Sequence, residues 1–147
     1  MDLHEMLRRH EGLKLEPYRC PAGKLTIGYG WNLDAHPLPD DYAACLRLTG
    51  AITLDMAERL LNISIDAATR QCRAIFHHFD DYSERRKAAL IDFVFNVGVG
   101  TALTFKKALA AIMEGDWDKA ADEMQDSKWF SQVGDRGPEI VGMIRNG

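Results

Sequence analysis

Three residues near the start of the chain could do chemistry together: Glu11, Cys20 and Thr26. A carboxyl group can donate a proton, a thiol can attack or carry charge, and a hydroxyl can hold a water. Of the three, Glu11 has the surroundings that spacing describes best. Leu3, Met6 and Leu7 fall at i, i+3 and i+4 of a helix expected over residues 1–10, and their apolar stripe continues to His10 and Glu11. Asp2 and Glu5 form a capping box at its start, Met1 pairs with Met6 as a hydrophobic staple, and Gly12 ends it as a left-handed cap. A carboxylate thus closes an apolar face at the negative end of a helix dipole. Desolvation and dipole both disfavour its charged form, which is how a general acid is made.

The elements that must position these residues follow from the same reading. Pro17, Pro21, Pro37 and Pro39, with Gly12, Gly23, Gly28 and Gly30, exclude continuous helix before residue 40. Tyr18 to Cys20, a turn at Pro21, Ala22 and Gly23, and Lys24 to Tyr29 read as strand, turn and strand. Leu25, Ile27 and Tyr29 alternate with Lys24, Thr26 and Gly28, which sets Thr26 on the polar face. Residues 41–48 form a short helix.

Thr53 starts a long helix whose apolar residues Leu54, Ala57, Leu61, Ile65, Ala68, Cys72 and Ile75 recur at threes and fours. At ~1.5 Å per residue, residues 53–75 span roughly 35 Å, enough to join two lobes. Ala88, Ala89, Leu90, Ile91, Phe93, Val94 and Phe95 make a helix apolar nearly all round, ended by Gly98 and Gly100. Shorter helices follow at 104–113, 116–124, 128–130 and 135–144. The fold class is α+β: a β lobe over 13–52, a connecting helix over 53–75, and a helical lobe over 76–147 on which helix 1–11 packs.

At 147 residues and net charge −4, the composition is that of an ordinary globular domain, without the basic footprint of a nucleic-acid binder. The three cysteines, Cys20, Cys45 and Cys72, show neither zinc spacing nor a disulfide framework. No metal site or cofactor is implied. Cys72 lies on the apolar stripe and reads as a buried core thiol. No signal-peptide pattern and no run of membrane-spanning length is present, so synthesis in a cytoplasm without stable membrane insertion is expected.

Glu11, Cys20 and Thr26 stand at a recognisable spacing. Glu5 to Arg8, Glu11 to Leu13 and Thr26 to Gly30 resemble the phage endolysins of the T4 lysozyme type, a glycoside hydrolase family of muramidases. The similarity resumes at Ala89 to Ile91, Phe93 to Asn96, Gly98, Trp117, Ala120, Ala121 and Ser127 to Trp129, while residues 31–50 match poorly. The resemblance implies a lysozyme-like fold with a cleft for peptidoglycan glycan strands. It makes Glu11 the proton donor to the glycosidic oxygen and Thr26 the residue that positions water on the opposite sugar face. It makes Arg136 a cation reaching the catalytic glutamate, and puts Phe95 and Asn96 on the cleft floor. Trp31 stands where the best-known member has His and could stack on a sugar ring. The resemblance further implies an inverting reaction, a monomer, and a lysis setting in which a holin gives access to the wall.

Cys20 departs from the pattern, which has Asp there in its best-known member. A thiol with an ordinary pKa near ~8.5 is mostly neutral at pH 7 and supplies little anionic stabilisation. Three readings stand open: the site lowers the thiol's pKa, the family uses Cys as an alternative, or activity is reduced. Arg136 follows Asp135, a possible cap, and a cation at a helix start opposes the dipole, so something else must favour it. Phe95 also reads as core packing, and Trp129 as packing rather than stacking. Two rival functions remain: a Cys/His hydrolase of the wall peptide using Cys20 with His10 or His36, and a lysozyme-fold binding or scaffold domain without full activity.

Overall fold

The computed structural model describes residues 2–147. The chain divides into two compact units, residues 1–65 and 66–147. The first contains helix α1 (Leu3–Glu11), strands β1 (Lys14–Arg19), β2 (Leu25–Gly28) and β3 (Trp31–Asn32), and helix α2 (Asp40–Thr49). Helix α3 (Leu54–Ile75) begins in this unit and ends in the second. The second adds α4 (Glu84–Ala102), α5 (Lys106–Met113), α6 (Trp117–Gln125), α7 (Lys128–Gln132) and α8 (Arg136–Asn146). The class is α+β, as the sequence indicates, with one antiparallel sheet of order β1-β2-β3.

Asp2 caps α1 by accepting from the His4 N–H at 3.2 Å. The Met1–Met6 staple involves a residue outside those described. Gly12 ends the helix with its N–H on the Arg8 carbonyl, but at φ +70 and ψ 162 it lies outside the left-handed helical basin expected of it. The chain therefore leaves α1 extended and enters β1 directly. In the sheet, Tyr18 pairs with Thr26 and Arg19 with Leu25, and register shifts between Lys14 and Tyr18. Pro17, which has no N–H to give, falls in that irregular part of an edge strand. The third strand is only Trp31 and Asn32, too short for alternation to reveal.

Met6, Leu7, Ile27, Ile52, Ala57, Leu60 and Leu61 form the core of the first unit. Thr53 caps α3 through its hydroxyl, which accepts from the Met56 N–H at 3.1 Å. Leu54, expected on the buried stripe, is 53% exposed, and Leu60 takes the buried place instead. As the first helical residue, Leu54 precedes the turn that the core covers. Arg8 of α1 grips Glu58 of α3 with Nε at 3.0 Å and Nη2 at 2.8 Å, while the Tyr29 hydroxyl donates to the same carboxylate at 2.9 Å. One carboxylate thus ties together both helices and the end of β2.

Arg8 holds the Glu58 carboxyl below the usual range, helped by Tyr29 and opposed by desolvation. Glu58 therefore binds protons less readily folded than unfolded. Its stabilisation is fully present above the unfolded pKa of about 4.3 and is lost as pH falls through the lower folded value. The partners are 37% and 31% exposed, so screening limits the pair to about 1 kcal/mol. Glu58→Gln should lower the unfolding free energy measured in urea by that amount at pH 7, and the difference should close as pH falls through the lowered folded value.

In the second unit α6 packs on α5 and α8, and α4 packs on α8. Leu90, Val94, Ala120, Ala121, Met124, Ile140 and Ile144 are almost fully buried among them. Ser83 caps α4 at the Arg86 N–H. Gly98, at φ +81 and ψ 161, breaks α4 as expected, but Gly100 does not end it: a further helical segment runs to Ala102. Asp135 also departs from expectation. It is itself helical, and among the described residues its side chain makes no capping hydrogen bond.

Candidate active site

Glu11 is the last residue of α1, half-buried, with its carboxylate laid against the backbone at Gly30. A β-carbon built on Gly30 would stand 2.7 Å from Oε2 of Glu11 and 3.0 Å from its Cδ. Gly30 has φ +75, in the loop between β2 and β3 where an L side chain is strained as well as crowded. Tyr18 faces the same region. Burial pushes its phenol up, and the negative charges of Glu11 and Cys20 add to that rise. Lys14 places Nζ 4.7 Å from the centre of the Tyr18 ring.

Cys20 follows β1 at the start of the hairpin turn, where its N–H donates to the Lys24 carbonyl at 3.0 Å and its carbonyl accepts from Gly23 at 2.8 Å. The thiol is half-buried over that turn. The backbone N–H of Lys24 holds it below the ordinary thiol range; desolvation opposes, and the N–H of Ala22 and the Thr26 hydroxyl assist. The Thr26 hydroxyl also donates to the Lys24 carbonyl at 2.8 Å. One hydroxyl proton cannot serve both acceptors, so the effect on Cys20 rests chiefly on the backbone donors.

Thr26 itself is 4% exposed, a correction to its expected open polar face. It lies on the middle strand with Ile27 and Gly28 also buried, so burial does not alternate along β2. With its proton committed to Lys24, Thr26 turns lone pairs to whatever meets its oxygen. Trp31 is half-buried, donates Nε1–H to the His36 carbonyl at 3.0 Å, and sits 5.8 Å from the His36 ring.

The remaining predicted site residues lie in the second unit. Arg136 is buried at 8% exposure, and its Nε donates to Asp92 at 2.7 Å. Asp92 has no exposure at all. This carboxylate supplies the compensation that a cation in the first turn of α8 requires. Asn96 accepts from the Trp129 indole N–H at 2.8 Å. Trp129 packs edge-on against Phe93 at 5.1 Å and against Phe105 at 6.5 Å, a packing role. Phe95 is half-buried. An open groove of about 400 Å³, lined by Phe105, Lys106, Lys107, Glu123, Asp126 and Ser127 among others, contains none of these predicted residues.

All three cysteines are free thiols. Cys72 is fully buried, and desolvation pushes its thiol up to about 12, which leaves it inert. Among the described residues, no group of three or more His, Cys, Asp and Glu side chains could hold a metal ion. Among the described residues, no single helix is long and apolar enough to cross a membrane.

Residues 8–146, nearly the whole chain and all of the residues described above as site candidates, match the family described as phage lysozyme. The chain belongs to the phage lysozyme family. It is thereby a glycoside hydrolase acting on peptidoglycan, a muramidase. Probable T4-type lysozyme 1 of Dictyostelium discoideum is 31% identical over 99% of this chain and 94% of its own length. The endolysin of Acyrthosiphon pisum secondary endosymbiont phage 1 is 28% identical over 95% of this chain and 86% of its own. The pre-baseplate central spike protein Gp5 of Enterobacteria phage T4 is 29% identical, with this chain spanning 28% of its length.

Three residues of this lysozyme escaped the sequence reading. In the sequence Tyr18 is a strand residue, and Gly30 is a helix breaker that closes the Thr26 to Gly30 block, with nothing to tie either to Glu11. Asp92 carried a usable signal: it is the one acid in an otherwise apolar run from Ala88 to Phe95. A lone acid there must be paired or neutral, which points to a cation distant in sequence.

Proposed function

We propose that this phage lysozyme hydrolyses the β-1,4 bond between N-acetylmuramic acid and N-acetylglucosamine with Glu11 as general acid, Thr26 positioning the attacking water and Cys20 in place of the usual Asp. The observation that carries the reading is the setting of Glu11: a half-buried carboxylate at a helix C-terminus, on the bare backbone of Gly30, whose charge Tyr18 feels together with that of Cys20. Glu11 gives its proton to the glycosidic oxygen as the C–O bond breaks. A water on the other face of the sugar donates a hydrogen bond to the Thr26 lone pairs, attacks the anomeric carbon and sheds a proton to solvent, from which the Glu11 carboxylate is reprotonated. Positive charge on the sugar grows in between, and a thiolate at Cys20 stabilises it. Trp31, Phe95, Asn96 and Arg136 bind the glycan. Asn96 does so through its amide N–H groups, because its carbonyl serves Trp129.

Digestion of purified peptidoglycan separates this reading from its rivals. The wild type should release new reducing ends without new free amines, and Glu11→Gln should release neither. Free amines without reducing ends, abolished by Cys20→Ser, would overturn it in favour of peptide cleavage. Glycan binding with neither product would overturn it in favour of a scaffold.

Cys20 gives a pH signature. Its thiolate is favoured by backbone donors, so the anion is present above a lowered pKa and lost below it. Cys20→Asp carries its charge throughout that range. We expect Cys20→Asp to exceed the wild type in kcat at acid pH, with the ratio falling towards one as pH rises through the lowered pKa of the thiol. A ratio independent of pH would show that charge at residue 20 does not limit the rate.

A further inference from the structure

Resting on the assignment of Glu11 as the acid, we infer that Gly30 is a positioning residue for the reaction, and that its missing side chain is the feature that sets the Glu11 carboxylate. The geometry is specific to this glycine. A β-carbon at Gly30 would lie 2.7, 3.0 and 3.4 Å from Oε2, Cδ and Cγ of Glu11. The first distance is closer than packed atoms tolerate, and all three atoms belong to the group that donates the proton. The other positive-φ glycines of the first unit do not share this. Gly12, Gly23 and Gly50 have nothing within 4 Å of such a carbon, and Gly28 meets only Ala57 and Ile52 at 3.5 Å or more. Gly30 therefore combines a backbone requirement, φ +75, with a steric one directed at Glu11.

The consequence is a carboxylate held on two sides of its arm. Its Cα is fixed by the last turn of α1, which Met6 and Leu7 anchor in the core. Its head rests on the loop that joins β2 to β3, and β2 also carries Thr26. Donor and water-holder are thus referred to one piece of backbone, on which Thr26 and Gly30 are four residues apart. A methyl group at residue 30 would push the carboxylate off that reference by about 1 Å, and misplacement on this scale costs on the order of 10²-fold in rate.

Gly30→Ala tests the inference, with Gly50→Ala as the control for backbone strain, since Gly50 has φ +82 and open space. We expect Gly30→Ala to lower kcat about 10²-fold with KM changed less than about threefold, while Gly50→Ala keeps wild-type kinetics. Stability gives an independent reading through a double-mutant cycle with Glu11→Ala. If the methyl group collides with the carboxylate, Gly30→Ala should lower Tm less in the Glu11→Ala background than in the wild type. Equal Tm losses in both backgrounds, loss of folding in both included, would overturn the inference. So would a Gly30→Ala kcat no lower than that of Gly50→Ala while Glu11→Gln is inactive, and in that case the assignment of Glu11 would stand. Activity retained in Glu11→Gln would instead remove that assignment and the inference with it.

Discussion

Glu11→Gln should lower kcat on peptidoglycan by about 10²–10⁴-fold while leaving its unfolding free energy within about 0.5 kcal/mol of wild type. The substitution keeps the shape of the side chain and its contact with Gly30, and it removes the carboxyl group's capacity to give up a proton. Leaving-group departure then proceeds without protonation, and the lost factor is that of general acid catalysis. A fall in kcat/KM through KM alone would mean that Glu11 binds glycan and does not take part in bond cleavage. Initial rates of reducing-end release, taken with urea unfolding curves for both proteins, separate the two.

The second large effect concerns stability. Asp92→Ala should cost about 3 kcal/mol in urea unfolding at pH 7, because it removes the carboxylate that faces a buried guanidinium at 2.7 Å. The loss has two parts: a Coulombic partner of Arg136, and a charge-assisted hydrogen bond made by a carboxylate with no exposure. Asp92→Asn keeps an acceptor and should cost less. Asp92→Leu combined with Arg136→Met should recover much of the loss, since a well-packed apolar pair replaces a buried ionic one at little cost. A loss below about 1 kcal/mol in Asp92→Ala would show that the pair contributes no more than an exposed one.

The parts of this chain that were legible are those whose signal is local. The α1 stripe of Leu3, Met6 and Leu7 placed Glu11 at a helix end because three-and-four spacing survives even in nine residues. Thr53 marked the start of α3 because a cap acts on the next turn. The illegible parts depend on contacts distant in sequence or on absent atoms. Asp92 and Arg136 are 44 residues apart, and neither predicts the other by spacing. Gly30 acts through the β-carbon it lacks, and a pattern of side chains cannot display a missing one. Alternation puts Thr26 on an open face by assuming that one side of a sheet meets water, whereas on the central strand of this small sheet Thr26 is buried. Leu54 failed for a related reason, since periodicity gives direction along a helix but not where cover begins.

Cys20 shows how chemistry and position separate. Its place was legible from the spacing of the block around it, whereas its charge was not. Whether a thiol ionises depends on which backbone N–H groups point at it, and those of Lys24 and Ala22 are set by the turn geometry. An aspartate would need no such help at neutral pH.

The proposed roles of Glu11 as donor and Thr26 as holder of the water on the opposite sugar face require inversion at the anomeric carbon. The configuration at the newly formed reducing end, read by ¹H NMR on a soluble glycan oligomer before mutarotation, tests that arrangement most directly. The expected first product is the α anomer, inverted from the β linkage. A β anomer as first product would contradict it, placing the attacking group on the same face as the leaving group or requiring a covalent intermediate.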